Sequence, residues 1–465
     1  MKGRRSGLTS LVVAALVGTA SVALAPATAR ADNRPFPQHV VYGHGFVPHG
    51  ITADDAMSSY RNWKSKYLKA DCGGGLDRVE FGSPNGSTVS EGLGYGMILT
   101  AYFGDREAFD GLWRFALKFK NKNGLTGWKE TCRAFAQDEG GDGSATDGDT
   151  DIGLGLVAAA DQWGEPYKRT AIAYLATLKN VDFTTCTPSG RNLPMPGDWG
   201  SCEASNTSYF MPGFYRVFQE VTGDAFWGKA ADDAVALWLV NRNPRTGLIA
   251  NEVDQDGHTH ERAEVDYNGC RIPWRAAVDY LWYGTPGSKD VTDRLTDWAG
   301  SFGIAKLVDG YNTNGTPTQS GKYTQLNAWV GSWACGAMSK GQDVVDNFAA
   351  DFKAIADDNG AYYGSSLRTL YLLVLGGFFW RPGAPLAPLP AASAASVDPA
   401  TPAAPAASPP AVPTVSPRIG TGTSSSCSCQ HIPGHGDTTA LAAVAALGAL
   451  LTRRARRGCA WNPSR

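Results

Sequence analysis

The sequence has very little strand signal. Runs in which Val, Ile and Thr alternate with polar residues are scarce, so any sheet is small. No repeat of fixed period runs along the chain, which argues against a helical solenoid. No Pro/Ser-rich segment divides residues 32 to 381, so that stretch reads as one domain. Charge bias is missing too: 42 Lys and Arg stand against 44 Asp and Glu, a formal net charge of −2. With no basic stripe outside the termini, nucleic acid is not the expected partner.

What is present at the ends reads as addresses. Lys2, Arg4 and Arg5 precede an apolar run from Leu8 to Ala25 and the small-x-small site Ala29-Arg30-Ala31. That is the pattern of an export signal over residues 1–31, with a mature chain starting near Asp32. The apolar run is short for a membrane span. Residues 382–426 are rich in Pro, Ala, Ser and Thr, which reads as an extended linker. Residues 427–465 hold Cys427-Ser428-Cys429, an apolar stretch from Ala440 to Leu451, and Arg453, Arg454, Arg456 and Arg457. A short apolar segment followed by arginines reads as a sorting or stop-transfer tail. It resembles the Cys-hydrophobic-Arg sorting signals of myxobacterial surface proteins, but departs from them by running on from Gly458 to Arg465. The expected location is therefore outside the cell, secreted or surface-anchored, with sorting machinery and membrane as partners of the tail. Cys427, Cys429, His431 and His435 do not have a usual zinc spacing, and no metal is expected.

Six cysteines fall between the addresses: Cys72, Cys132, Cys186, Cys202, Cys270 and Cys335. An even number in an exported chain suggests disulfides. Cys186 and Cys202 flank a Pro/Gly-rich loop and are the expected pair. Aromatics are abundant, with 14 Trp and 17 Tyr. Many sit beside Gly, Asn and Asp, where rings stack on sugar faces, although core packing accounts for most of them.

Helical periodicity covers residues 54–67, 94–102, 106–118, 151–163, 166–179, 209–222, 225–241, 274–282, 289–302, 345–357 and 365–376. Several of these are apolar on more than one face. That predicts a double layer with wholly buried inner helices, a pattern an all-α toroid fits.

Two acidic segments open onto such apolar runs. Ser90-Glu91-Gly92-Leu93-Gly94-Tyr95-Gly96-Met97 places a carboxylate among glycines that let the backbone turn tightly and leave room for a ligand. Ala145-Thr146-Asp147-Gly148-Asp149-Thr150-Asp151-Ile152-Gly153 places three more. Carboxylates in such surroundings are costly to desolvate, so a job, a partner or a metal is expected. The second segment begins like a calcium loop, yet Ile152 stands where glycine is needed and Ala158 where the closing Glu belongs. Helix capping accounts for at most one of the three aspartates. A third segment, Asp266-Tyr267-Asn268-Gly269-Cys270-Arg271-Ile272-Pro273-Trp274-Arg275, offers arginines whose planar fork orients carboxylates or hydroxyls.

In this order the three segments resemble glycoside hydrolase family 8. Its members carry Ser-Glu-Gly-x-x-Tyr-Gly-Met, Ala-Ser/Thr-Asp-Gly-Asp-x-Asp-Ile and Tyr-Asp-Ala-x-Arg-x-Pro-Trp-Arg. Tyr362-Tyr363 with Leu367 is similar to the family's last barrel helix, and the resemblance spans about residues 41 to 381. It implies an (α/α)6 barrel and an endo-acting hydrolase of internal β-1,4 bonds, working as a monomer without cofactors. Cellulose or mixed-linkage β-glucan is the leading polysaccharide substrate. Chitosan, xylan and a non-catalytic glycan-binding role are the alternatives.

The resemblance makes Glu91 the general acid and Asp147 the residue that binds and distorts the sugar at the cleavage point. Arg271 orients that neighbourhood, and Tyr95, Trp128 and Tyr209 are expected at the sugar. One position departs from the pattern: Asn268 stands where many members hold the catalytic base, and an amide cannot take a proton from water. A carboxylate of the preceding loop is then needed, from among Glu252, Asp254, Asp256, Glu261, Glu264 and Asp266. Asp266 and Glu264 are put forward with Glu91 and Asp147 as the catalytic set, since Asp266 shares a face with Asn268 if that stretch is extended. Glu261 is also within reach, and Asn268 joins the substrate-binding set. The resemblance further implies hydrolysis with inversion, the acid and the base acting on opposite faces of the sugar.

Overall fold

A computed structural model describes residues 32–82 and 86–383. The expected export signal, nearly all of the linker and the sorting tail lie outside the described residues.

Twelve α-helices follow one another among the described residues: α1 (Ala53–Tyr67), α2 (Ser90–Tyr102), α3 (Arg106–Lys118), α4 (Thr146–Trp163), α5 (Tyr167–Asp182), α6 (Pro212–Thr222), α7 (Ala225–Asn241), α8 (Ile272–Tyr283), α9 (Pro286–Gly300), α10 (Asn327–Ala337), α11 (Gln342–Lys353) and α12 (Ala361–Leu375). The even-numbered helices form an inner ring. Each packs against the next, and α12 returns to α2 and closes it. Each odd-numbered helix covers its neighbour from outside, α1 backing α12. The result is an (α/α)6 barrel. Burial follows the layers: every residue of α10 is buried, and in α2 only Glu91 is not, whereas α3 and α11 bury a single face. The five sheets among the described residues are two-stranded scraps in the loops, which is all the sparse strand signal allowed.

The sequence reading missed one helix. Segment α10, Asn-Ala-Trp-Val-Gly-Ser-Trp-Ala-Cys-Gly-Ala, is small or apolar on every side. A helix packed all round has no periodic stripe to detect.

It also misplaced two starts. The acidic segments are not loops ahead of their helices; they are the first turns of α2 and α4. Their glycines serve helix packing rather than tight turns. A Cβ on Gly94 would meet Asp151 Cβ at 2.6 Å, and one on Gly148 would meet the Ser90 carbonyl carbon at 2.5 Å. Glycine therefore lets the two inner helices touch backbone to backbone at the level of Glu91 and Asp147.

Deeper in the barrel, Arg275 on α8 grips Asp151 on α4 through two bonds of 2.9 and 2.7 Å, both side chains sealed from solvent. The same guanidinium lies 3.8 Å from the Trp274 ring centre. A buried pair of this kind fixes how α8 sits against α4, and removing one partner leaves a bare charge.

Disulfides join Cys186 to Cys202, as expected, and Cys72 to Cys132. Cys270 and Cys335 remain buried thiols, so only four of the six cysteines pair. Of the tryptophans, Trp63, Trp163, Trp227, Trp238, Trp274, Trp329, Trp333 and Trp380 are fully buried and belong to the core.

Gly148→Ala is expected to cost about 1–3 kcal/mol of stability through overpacking, and to lower kcat because it pushes Asp147 away from Glu91. Urea denaturation at constant m-value and steady-state turnover measure the two effects; an unchanged midpoint would show that the helices have room to part.

Candidate active site

An open cleft of about 1140 Å³, counting space open to solvent, is lined by Glu91, Trp128, Asp147, Tyr209 and Asn268 together with Trp199, Glu252, His260, Glu261 and Arg262. At its floor three motif residues meet. Arg271 Nη1 donates to Glu91 Oε2 at 2.9 Å and to Asp147 Oδ2 at 2.8 Å, with the Tyr95 hydroxyl 3.1 Å away. Arg271 Nη2 donates to Ser208 Oγ at 2.8 Å and to Asn268 Oδ1 at 3.2 Å. Tyr362, at the start of α12, donates its hydroxyl to Glu91 Oε1 at 3.0 Å. The second Asp147 oxygen accepts the backbone N–H of Gly148 at 2.9 Å.

The charges decide the protonation. One guanidinium serves two carboxyl groups, and Arg271 is itself buried. Burial pushes the Glu91 carboxyl up to about 7; Arg271 opposes the rise and the Asp147 charge adds to it. Glu91 thus holds a proton up to near-neutral pH while Asp147 faces Arg271. Neither helix start is capped by a side chain, so capping does not explain the acids.

The remaining aspartates of the second segment point elsewhere. Asp149 accepts the N–H of Thr126 at 3.2 Å and the hydroxyl of Tyr174, and Asp151 holds Arg275. On a helix position i+2 points away from i and i+4, and Asp147 and Asp151, one turn apart on the same face, each hold a different arginine, so the three do not converge as calcium ligands do.

Several sequence expectations need correction. Tyr95 is wholly buried and reaches the site through Arg271, so no sugar touches it. Arg271, equally buried, acts on the carboxyl groups rather than on substrate. Asp266 and Glu264 do not line the cleft. The extended stretch ends at Val265, and Asn268 is already in helical conformation, so the same-face argument fails. Asp266 instead accepts the Asn268 N–H at 3.0 Å and grips Arg262 Nη2 at 2.5 Å, shaping the turn into α8. Glu264 is exposed on a strand paired with Tyr311–Asn312. Trp128 and Tyr209 do line the cleft, as expected.

Two loop carboxylates face the cleft. Glu252 is buried, 3.8 Å from Arg262 and 3.7 Å from His260. Burial raises its carboxyl pKa, and the neighbouring Arg262 and His260 pull it back. Glu261 stands on the exposed wall. Trp199, 40% exposed in the cleft, was missed from sequence, and Tyr362, read there only as part of the last barrel helix, was given no role at the site. No spacing signals them; Tyr362 is 271 residues from its partner Glu91.

The model of the glycosyl hydrolases family 8 matches residues 45–377. The chain belongs to this family. It is similar to Endoglucanase C of Ruminiclostridium cellulolyticum, 32% identical over 388 residues covering 80% of this chain and 82% of that one. It is also similar to Endoglucanase A of Acetivibrio thermocellus, 33% identical over 393 residues covering 82% and 81%. Among solved structures, a β-1,3-1,4-glucanase from Paenibacillus sp. X4 superposes with a TM-score of 0.67 at 28% identity, covering 76% of this chain and all of that one. The chain is thus a glycoside hydrolase, and its closed helical ring is this family's barrel.

Raised carboxyl pKa values also set a stability trend. Burial pushes Asp149 up to about 7, against the bonds from Tyr174 and Thr126. Glu91 and Asp149 both bind protons more tightly folded than unfolded, where carboxyl groups titrate near about 4. Their contribution is complete below about pH 4 and is lost as pH rises to about 7. The urea midpoint is expected to fall across that window, and Asp149→Asn to flatten the fall; an equal slope in the variant would exclude Asp149 as its source.

Proposed function

We propose that the protein is an exported endo-β-glucanase that cleaves internal β-1,4 bonds of cellulose or mixed-linkage glucan with inversion. The observation that carries this reading is the bonded trio at the floor of an open, aromatic-walled cleft: burial holds a proton on Glu91 against the pull of Arg271, which also binds Asp147. An open cleft admits a chain along its length, as endo cleavage needs. The endoglucanase and β-1,3-1,4-glucanase names of the relatives support the glucan assignment. Arg262 and His260 among the acids of the wall suit a neutral polymer better than cationic chitosan.

In the proposed reaction Glu91 gives its proton to the leaving glycosidic oxygen. Asp147 holds the hydroxyls of the sugar at the cleavage point, and Trp128, Trp199 and Tyr209 offer ring faces to the flanking sugars. Water attacks the anomeric carbon from the opposite side. Its proton goes to Glu261, the cleft carboxylate that is open to solvent, while Glu252 stays engaged with Arg262 and His260. Asn268, bonded to Arg271, lines the cleft as a substrate-side amide. Export and surface attachment accord with a polymeric substrate and with two disulfides. The mature N-terminus is expected near Asp32.

Turnover is expected on barley glucan and carboxymethyl cellulose ahead of xylan and chitosan, with kcat falling as pH rises through about 7. Proton NMR should find the α-anomer first; a β-anomer first would rule out inversion. Glu91→Gln should lose about a hundredfold or more of kcat yet still bind glucan. Glu261→Ala should be nearly inactive and recover with azide, yielding an α-glycosyl azide. Rescue of Glu252→Ala instead would move the base to Glu252.

A further inference from the structure

Beneath the cleft floor lie carboxyl groups that the reaction does not use. Glu130 is wholly buried and neither of its oxygens has a hydrogen-bond partner. Thr88, its register partner on the neighbouring strand, is buried with its hydroxyl equally unpaired. Asp149 and Asp182, also wholly buried, each engage one oxygen and leave the other without a partner. Buried polar atoms without a protein partner are ordinarily satisfied by internal water.

The engaged oxygens lead to the cleft. Asp149 accepts the Thr126 N–H. Two residues further on, Trp128 lines the cleft, and its carbonyl accepts the N–H of Ser90 at 3.0 Å, directly before Glu91. Asp182 accepts the Ser144 hydroxyl at 2.6 Å, and Ser144 Oγ accepts the N–H of Asp198 at 2.8 Å. The next residue is Trp199. Both cleft tryptophans therefore hang from backbone that these buried acids hold.

The titratable groups facing the three acids are one another, Asp147 on α4, Tyr174 on α5 and Asp198 in the loop before Trp199. Asp198 is held by the amides of Asn121 and Asn123, and Lys129, beside Glu130 on its strand, pairs with Glu139 at 2.7 Å.

We propose that Glu130, Asp149 and Asp182 are positioning residues: protonated and bridged by internal water, they hold Trp128 and Trp199 on the cleft walls, and loss of a proton to solvent releases both. Burial pushes Asp149 up to about 7 and the other two well above the usual carboxylate range, so the cluster is neutral in acid. Ionising one member places a charge beside other acids with no cation among the described residues to pair it, and opening the loops is the way to hydrate it. The inference rests on the reading of the cleft as a glucan site.

Amide hydrogen exchange of the whole, ligand-free protein tests the cluster without substrate. With intrinsic rates divided out, opening of residues 126–130, 143–144 and 196–200 should rise above about pH 7, by up to about tenfold per pH unit for each proton released. Glu130→Gln and Asp149→Asn, which cannot ionise, should flatten that rise. A rise as steep in both variants as in the wild type would overturn the proposal. Should the variants fail to fold, Tyr174→Phe removes a bond that favours ionised Asp149 and should shift the opening to higher pH; no shift would count against the cluster. In a Glu91→Gln background, the Kd for cellohexaose should weaken in parallel with the opening. Opening as described, with no cellohexaose bound at any pH, would uphold the cluster and defeat the glucan reading instead.

Discussion

The site depends on one cation placed between two acids. Arg271 reaches Glu91 and Asp147 with the same nitrogen, and burial disfavours ionisation of Glu91. One positive charge in a region of low dielectric balances one negative charge well and two poorly. A proton must remain on one carboxyl, and Glu91 holds it. The asymmetry on which acid catalysis relies thus comes from counting charges, before any substrate enters. Ser208, Asn268 and Tyr95 complete the arginine's contacts, so its position is fixed from several sides.

The barrel supplies that geometry by bringing helix starts together. Glu91 lies in the first turn of α2 and Asp147 in the first turn of α4, where unpaired backbone N–H groups favour negative charge. Arg271 and the bond from Tyr362 oppose burial, which keeps the Glu91 carboxyl at about 7 rather than far above it. Contact at Gly94 and Gly148 sets how near the two helix starts come, and the Asp151–Arg275 pair sets α8 against α4. Helix packing and carboxyl titration are therefore parts of one arrangement.

Much of this was legible in the sequence because motif residues carry chemistry at fixed spacing. Glu91, Asp147 and Arg271 were named from three short segments, and the structure joins them in one bonded group. What failed, failed for physical reasons. Asp266 was placed by assuming an extended chain, but the backbone turns helical before Asn268. Tyr95 shares a motif and a helix face with Glu91, yet it lies one turn deeper along an inner helix, where its side chain is sealed in the core. The glycines were read as turn formers when their missing Cβ atoms serve helix contact. Tyr362 and Trp199 were out of reach, since only the closing of the ring brings α12 to α2 and only a long loop brings Trp199 to the wall.

The buried acids give stability and activity the same sign. A general acid must hold its proton to work, and Glu91 does so because ionising it in this setting is unfavourable. The same physics makes ionisation of Glu130, Asp149 and Asp182 unfavourable, so these buried sites bind protons more tightly in the folded state than in the unfolded chain. Raising the pH therefore removes the catalytic proton and the neutral support beneath the cleft over overlapping ranges, with Glu91 and Asp149 both titrating near 7. Replacing the supporting acids by amides separates the two effects, because it leaves the Glu91–Arg271–Asp147 group in place. A barrel that lost its buried acids would keep its chemistry but no longer tie the shape of its cleft to the proton its catalysis needs.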